Sequence, residues 1–435
     1  MFVNDLIVIG GGAAGLMATI QAAESGLNVL LLEKGFKLGR KILISGGGRC
    51  NVTNNKYSSI RDFLINYPRG SKFLWGPLSR FSNADLINWF ESKGLKLKTE
   101  EDGRVFPITD NSQSVLDVLV NAASKAQAHI EVNKNVCRIE KENDLFHIYL
   151  QNEESYLSVN VLIACGGMSY QVTGSSGDAY EWAKYFGHKV IQPKPSLMGY
   201  LSPAKWVHAL KGLTLTEVDL QLFYAQSLND FDSLNNKSCN QNNNHQSILI
   251  AKQKGALLFT HWGISGPGVF KITSLAAGTN YAEGIFILKI NLLPNIKKEE
   301  LREVLKEKWK ASPKRKVINA IEGLIPARLE GYIVSSMLWN PEKTYGEISN
   351  AELDQLIQYI TALQIPINGI RPSGEEIVTA GGIDLNEIDS KTMQSKIVSG
   401  LYFAGEVIDI DGFTGGFNLQ ASWSTGWVAG NSIQV

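Results

Sequence analysis

After Asp5 the chain runs Leu6-Ile7-Val8-Ile9 without a polar break, then turns through glycines into a stretch of helix formers from Ala13 to Ser25. An apolar run with no alternation predicts a parallel strand buried on both faces. Gly26 stands where a left-handed helix terminus is expected. Val29-Leu30-Leu31-Leu32 repeats the buried-strand pattern and ends at Glu33. The opening therefore reads as strand, turn, helix, turn, strand.

The same patterning predicts helices over 83–92, 112–125 and 177–186. Strands over 136–139 and 146–150 flank Asn143-Asp144, which is hairpin chemistry, and 159–164 is a further apolar strand. The character changes after Pro193 and Pro195. Segments 213–223, 248–260 and 285–292 are strand-like and enclose an Asn/Ser-rich stretch, 227–246, too polar to pack and expected as a mobile loop. A charged helical segment runs from Lys297 to about Gln358. Strand-like sequence returns at 377–380 and 401–404, and a last helix is expected over about 418–430. The pattern implies an α/β protein: a nucleotide-binding domain over 1–195 and 371–435, interrupted by an insert over 196–370. That insert is expected to be β-rich to about 295 and helical over about 296–365. No repeat of solenoid type is present.

Composition narrows the picture. At 435 residues the chain exceeds what one hydrophobic core usually supports. Its 42 basic and 42 acidic side chains cancel, which removes any global pull toward nucleic acid or anionic membrane while leaving room for a local patch. Cys50, Cys137, Cys165 and Cys239 are scattered with no Cys-x-x-Cys pair, against a disulfide framework or a zinc cage, so no metal is expected. The N-terminus lacks the basic start of a signal peptide, and no apolar run approaches the roughly 20 residues that cross a bilayer. A cytoplasmic protein without membrane attachment is expected.

Gly10-Gly11-Gly12-Ala13-Ala14-Gly15 carries the first chemistry. Gly10, Gly12 and Gly15 fill the Gly-x-Gly-x-x-Gly fingerprint, in which the glycines allow the tight turn, the approach of backbone to a pyrophosphate, and close helix–strand packing. Backbone N–H groups and the positive end of the helix then hold phosphate. Glu33 lies 23 residues beyond Gly10, near the offset expected of a ribose-binding acid. FAD, NAD and NADP all satisfy this fingerprint, although a carboxylate at Glu33 disfavours a 2′-phosphate. The next segment, Lys34 to Lys41, continues with glycines and cations and suits passage over a long cofactor whose diphosphate it neutralises. No second Gly-x-Gly-x-x-Gly occurs, so a nicotinamide donor would have to dock directly on a flavin.

More specific is the stretch from Gly39-Arg40-Lys41 through Ser45-Gly46-Gly47-Gly48-Arg49-Cys50-Asn51 to Asn54. With Arg104-Val105-Phe106-Pro107, Thr173-Gly174-Ser175-Ser176-Gly177-Asp178, Gly263-Ile264-Ser265-Gly266-Pro267, Gly405-Glu406 and Thr414 to Gln420, it resembles the BaiN/RdsA (YhiN-type) family of NAD(P)/FAD-dependent oxidoreductases, also known as aminoacetone oxidase family FAD-binding enzymes. The resemblance covers nearly the whole chain except the Asn-rich stretch. It implies a glutathione-reductase-like, Rossmann-type FAD domain split by an insert. It also implies that the glycine turn holds the diphosphate, Glu33 the adenosine ribose, and the backbone of Val136 the adenine. Lys34, Arg40, Lys41, Ser45, Gly46, Gly47 and Asn51 would follow the cofactor toward the isoalloxazine, with Gly166, Gly405 and Glu406 near its phosphates and ribityl chain. Phe417, Asn418 and Leu419 would lie under the flavin pyrimidine. Cys165 and Gln171 depart from the family's usual Thr and Pro. Independently, Gly415-Gly416 before a helix would present free N–H groups to the negative charge of a reduced flavin.

For catalysis, Cys50 sits in the loop expected to pass the flavin, with Arg49 beside it to lower its pKa. The alternative is a small packed cysteine. His261 either faces the flavin or satisfies a loop hydrogen bond, and Tyr170 and Arg104 are candidates to orient a polar substrate. The resemblance implies reduction of a carbon–carbon double bond with NAD(P)H, either uracil in ribosomal RNA to dihydrouridine or an unsaturated steroid-like small molecule. Amine oxidation by O₂, and a flavin-bearing RNA-binding or redox-sensing protein with little turnover, are the other readings. Lys308, Lys310, Lys314, Arg315 and Lys316 around Trp309, with Lys297 and Lys298 nearby, form a basic patch that either contacts the phosphates of ribosomal RNA or is a solvated helix face, the commoner case; a small-molecule substrate is the alternative partner.

Overall fold

The computed structural model describes residues 3–226, 247–371 and 377–434. The chain divides into two compact units, Met1–Ser196 with Ser373–Val435, and Leu197–Pro372. The polar stretch 227–246, and Cys239 within it, lies outside the described residues.

In the first unit β1 (Val3–Ile9), α1 (Ala13–Glu24) and β2 (Val29–Glu33) form the opening βαβ, with Leu6 opposite Val29 and Ile9 opposite Leu32. An excursion follows: α2 (Arg40–Ile44), β3 (Thr53–Asn54), α3 (Ile60–Leu64), α4 (Ser71–Arg80), α5 (Asn83–Ser92), β4 (Leu97–Thr99), β5 (Arg104–Pro107) and α6 (Ser112–Lys125). Within it β3, β5 and β4 pair as a small antiparallel sheet, an element the short runs in the sequence did not announce. β6 (His129–Val132) then joins β2 in parallel. β7 (Val136–Glu142), β8 (Leu145–Leu150) and β9 (Ser155–Ile163) make an antiparallel meander whose last strand runs parallel beside β1. Its hairpin turns at Asn143 and Asp144 with φ of 47° and 65°, the left-handed pair that a primed two-residue turn requires. Leu401–Phe403 adds to β9 in parallel. After α7 (Asp178–Tyr185), β10 (Val190–Ser196) leads to the insert.

Two helices of this unit are held together by small residues. The C-terminal helix, Phe417–Ser432, runs beside α1 so closely that a Cβ on Gly426 would stand 2.3 Å from the Ala14 carbonyl oxygen, and one on Gly430 2.5 Å from that of Ala18. Ala14 with Gly426 and Ala18 with Gly430 makes the two helices parallel. At 1.5 Å per residue, the first turn of the C-terminal helix therefore begins roughly 12 Å beyond that of α1.

The second unit is an antiparallel sheet with helices. β11 (Tyr200–Leu201), β12 (Thr214–Ala225), β13 (Ile248–Phe259), β14 (Gly263–Ser265), β15 (Ile285–Asn291), β16 (Leu363–Ile367) and β17 (Gly369–Ile370) pair in the order β16-β15-β12-β13-β14-β11-β17. The charged segment expected to be helical carries three α-helices, Lys298–Ala311, Ala327–Ser336 and Asn350–Thr361. The β-rich and helical parts do not separate cleanly along the chain. Helix Pro267–Leu275 falls among the strands, and β16 returns after the helices to pair with β15. Leu220, Leu222, Leu288 and Ile290 of the sheet share one core with Leu301, Leu305, Leu353 and Leu356 of the helices. The chain re-enters the first unit at β18 (Val378–Ile383), which pairs with β10. Among the described residues no helix is long and apolar enough to cross a membrane.

Candidate functional site

A cleft of about 920 Å³ opens at the carboxyl ends of β1, β2 and β9, where ligands of open α/β sheets bind. Its floor is the glycine turn. Gly10 has φ of 111°, and a Cβ there would stand 2.6 Å from the Ala164 carbonyl oxygen. A Cβ on Gly15 would come within 1.9 Å of the Gly10 oxygen, so the third glycine serves helix–strand packing and does not line the cleft. Gly12 differs. Nothing lies within 4 Å of a Cβ placed on it, and it borders the cleft as the residue that starts α1. Gly39 donates its N–H to the Gly11 carbonyl at 2.9 Å, which brings Arg40 and Lys41 to the rim.

Glu33 ends β2 with both carboxylate oxygens engaged, Oε2 by the N–H of Gly11 at 2.8 Å and Oε1 by that of Gly35 at 2.7 Å. Each oxygen keeps a lone pair for a hydroxyl. Lys34 pairs with Asp178, 2.9 Å from its Oδ2, so its charge is matched by protein. Lys41 pairs with Glu406 at 2.6 Å and donates to the Ser169 hydroxyl at 3.1 Å. Glu406 also accepts from the Ser169 hydroxyl at 2.6 Å and from the Thr379 N–H at 2.8 Å. Burial alone would raise this carboxyl; the Lys41 ammonium and the two hydrogen bonds outweigh it and hold Glu406 below the usual carboxylate range. A carboxylate at the rim is thus neutralised before any diphosphate approaches.

Of the residues expected to hold cofactor, Gly10, Gly12, Ala13, Ala14, Glu33, Lys34, Arg40, Lys41, Val136, Gly166, Gly405, Glu406 and Leu419 line this cleft. Lys134, Asn135, Ser175, Asp178 and Trp182 line it too and were not singled out from the sequence. Asp178 stood in a quoted motif without a role, whereas Trp182 gave no signal beyond its place on an apolar helix face.

Ser45, Gly46, Gly47, Asn51, Phe417 and Asn418 lie outside that lining, Phe417 and Asn418 in the first turn of the C-terminal helix. Gly46, Gly47 and Gly48 are all left-handed, at φ of 57°, 70° and 85°, a run that only glycine adopts without strain. The Asn51 side-chain amide lies at the Gly416 N–H, and turned so that its oxygen faces that group it accepts from Gly416 at 3.0 Å and donates to the Thr53 carbonyl at 2.9 Å. Asn418 braces the preceding loop instead of reaching outward, accepting from the Gly412 N–H and donating to the Gly412 carbonyl, each at 2.7 Å. The Phe417 ring packs against Phe63, their centroids 5.1 Å apart. What the helix still offers is its first-turn amides, which have no intrahelical acceptor.

The catalytic candidates fare unevenly. Cys50 is wholly buried, and burial pushes its thiol up to about 12, so Arg49 does not lower it as expected. The Arg49 guanidinium is committed to Glu100 at 2.7 Å and lies over the Phe106 ring at 3.9 Å. Arg104 is likewise held by Glu100 at 2.9 Å and Asp102 at 2.7 Å. Tyr170 is half-buried with a left-handed backbone, φ 49°, and its carbonyl accepts from the Thr173 N–H at 2.7 Å. His261 is exposed on the turn between β13 and β14 of the second unit. Two cations of the basic patch are paired with carboxylates. Trp309 is buried with its indole N–H on the Ala320 carbonyl at 3.0 Å, Arg315 pairs with Glu322, and Lys316 pairs with Glu342 at 2.8 Å.

The open cradle at Gly12, the Glu33 carboxylate at the end of β2 and the cations of the rim fit a dinucleotide with an extended diphosphate. Fold and cleft together define a Rossmann-type dinucleotide-binding protein. The chain belongs to the HI0933-like Rossmann family of FAD oxidoreductases, whose profile, described as HI0933-like protein Rossmann domain, matches residues 4–432. It is 32% identical over 440 residues to a Haemophilus influenzae protein named ribosomal RNA dihydrouridine synthase, covering 99% of this chain and 98% of that one. An Escherichia coli protein of the same name is 31% identical over 433 residues, with 99% and 98% covered. The 3-dehydro-bile acid delta(4,6)-reductase of Clostridium scindens is 26% identical over 431 residues, with the same coverage.

Proposed function

We propose that this chain is an FAD-dependent reductase that takes a hydride from NAD(P)H and saturates the carbon–carbon double bond of uracil in ribosomal RNA, giving dihydrouridine. The observation that carries the reading is end-to-end similarity to two proteins named for that activity, at 32% and 31% identity. Bound FAD supplies the two-electron hydride chemistry. The chain's part is to hold it: the glycine turn and α1 for the diphosphate, Glu33 for the adenosine ribose, the Lys41–Glu406 pair at the rim. The first-turn amides of the C-terminal helix, with Asn51 fixing its start, would stabilise negative charge on the reduced ring. NAD(P)H and one proton are consumed per double bond. For the proton, His261 and Tyr170 are the groups to test before Cys50, whose acidity burial suppresses.

Anaerobic mixing tests the reading. NADH or NADPH is expected to bleach the bound flavin, and ribosomal RNA to reoxidise it with dihydrouridine appearing in the digested RNA. A flavin that stays oxidised with nicotinamide, yet bleaches with an amine, would overturn it. A reductase of steroid-like small molecules is the second reading. It is favoured by the Clostridium scindens relative.

A further inference from the structure

Lys34 stands at the end of β2, directly after Glu33, whose carboxylate is pinned by the N–H groups of Gly11 and Gly35. One side of the cleft mouth is therefore rigid. The other side is the 166–177 loop between β9 and α7, from which Thr173, Gly174 and Ser175 line the cleft, followed by Asp178 at the first position of α7. The loop changes direction at four left-handed residues, Gly166, Tyr170, Gly174 and Gly177, with φ of 76°, 49°, 107° and 85°. The first part of the loop is held at Ser169, by Lys41 at 3.1 Å and Glu406 at 2.6 Å, and a separate polar knot joins its last part to the end of β2. Lys34 Nζ lies 2.9 Å from Asp178 Oδ2 and also donates to the Ser176 hydroxyl, which itself donates to Asp178 Oδ2 at 2.6 Å. The Lys34 stem runs along Gly174, where a Cβ would come within 3.4 Å of its Cε.

We infer that Lys34, Ser176 and Asp178 form a clasp that holds this loop shut beside the adenosine half of the cofactor, so that FAD leaves when the clasp opens. The inference rests on the reading of the cleft as the FAD site. It assigns Lys34 to the loop and not to the diphosphate. The paired side chains are 29% and 43% exposed, so water competes for them and the clasp is weak enough to open. An ion pair of this exposure also weakens with salt.

The test is the rate of FAD release from the holoprotein, followed by the rise of free-flavin fluorescence after dilution, with melting temperature as a check on folding. Lys34→Gln and Asp178→Asn are each expected to speed release about two- to five-fold, the range for a pair of this exposure. The double variant should be no faster than either single one, and Lys34→Asp combined with Asp178→Lys should return toward the wild-type rate. Added salt should speed release from the wild type and leave the single variants unchanged. Ser176→Ala provides a milder opening should Asp178→Asn fold poorly. Wild-type release from Asp178→Asn and Ser176→Ala overturns the clasp. Acceleration by Lys34→Gln alone also overturns it, because Lys34 would then hold the cofactor directly. A wild type that retains no FAD would remove the reading of the cleft itself, a result distinct from either of these.

Discussion

The three fingerprint glycines, Gly10, Gly12 and Gly15, do three different things, and their variants should separate folding from binding. A methyl on Gly15 would collide with the Gly10 carbonyl at 1.9 Å, backbone against backbone, so Gly15→Ala is expected to destabilise the apoprotein by about 1–3 kcal/mol or more. A methyl on Gly12 meets nothing within 4 Å and projects into the cleft. Gly12→Ala should therefore melt like the wild-type apoprotein yet carry little FAD, as read from the ratio of flavin to protein absorbance. Equal losses of stability in both variants would contradict these assignments. Cysteine accessibility is a second residue-scale test. Cys50 is buried with its thiol raised to about 12, whereas Cys137 is exposed. Iodoacetamide at pH 8 should label Cys137 in the native protein and spare Cys50, because thiolate and access are both needed. Prompt labelling of Cys50, located by peptide mass, would show that its pocket opens.

At the scale of elements, the Ala14–Gly426 and Ala18–Gly430 contacts fix how the first turn of the C-terminal helix stands relative to that of α1, and in the proposed function both positive ends face one extended FAD. The strand ends are tied by Glu406, which links α2 through Lys41 to β18 through the Thr379 N–H. Its folded carboxyl titrates below its ordinary value of 4.5. A group of this kind contributes stability that is fully present above its unfolded pKa and is lost as pH falls through the lower folded pKa. The wild type should thus lose this contribution only below about pH 4.5, and Glu406→Gln should flatten that part of the melting-temperature profile. Retention of the full acid slope in the variant would place the dependence elsewhere.

On the scale of the whole molecule, each unit has its own hydrophobic core, one spanning β1, α1 and the C-terminal helix, the other spanning the insert's sheet and helices. Separate cores support separate cooperative unfolding. Calorimetry is expected to show two transitions, with excess FAD raising only that of the first unit. Ligand at about 100 times its Kd adds roughly 2.7 kcal/mol to the state that binds it. One transition, shifted as a whole, would mean the units unfold together.

The sequence by itself determined the opening βαβ, the hairpin at Asn143-Asp144, the ends of α5 and α6 and the nature of the cofactor turn. These rest on local periodicity and on glycines whose conformations no other residue adopts easily. It did not reveal that the charged segment breaks into three helices around one core with the sheet, because β16 finds its partner across many residues. Nor could it show where charges go. Lys34, Arg49, Arg104, Arg315 and Lys316 all read as available cations, yet each meets a carboxylate distant in sequence or set by a turn. Burial decided Cys50 in the same way, since desolvation depends on everything packed around the thiol. Tertiary structure alone fixes electrostatic partners, because the energies that select them fall off within a few ångströms in space and take no account of distance along the chain.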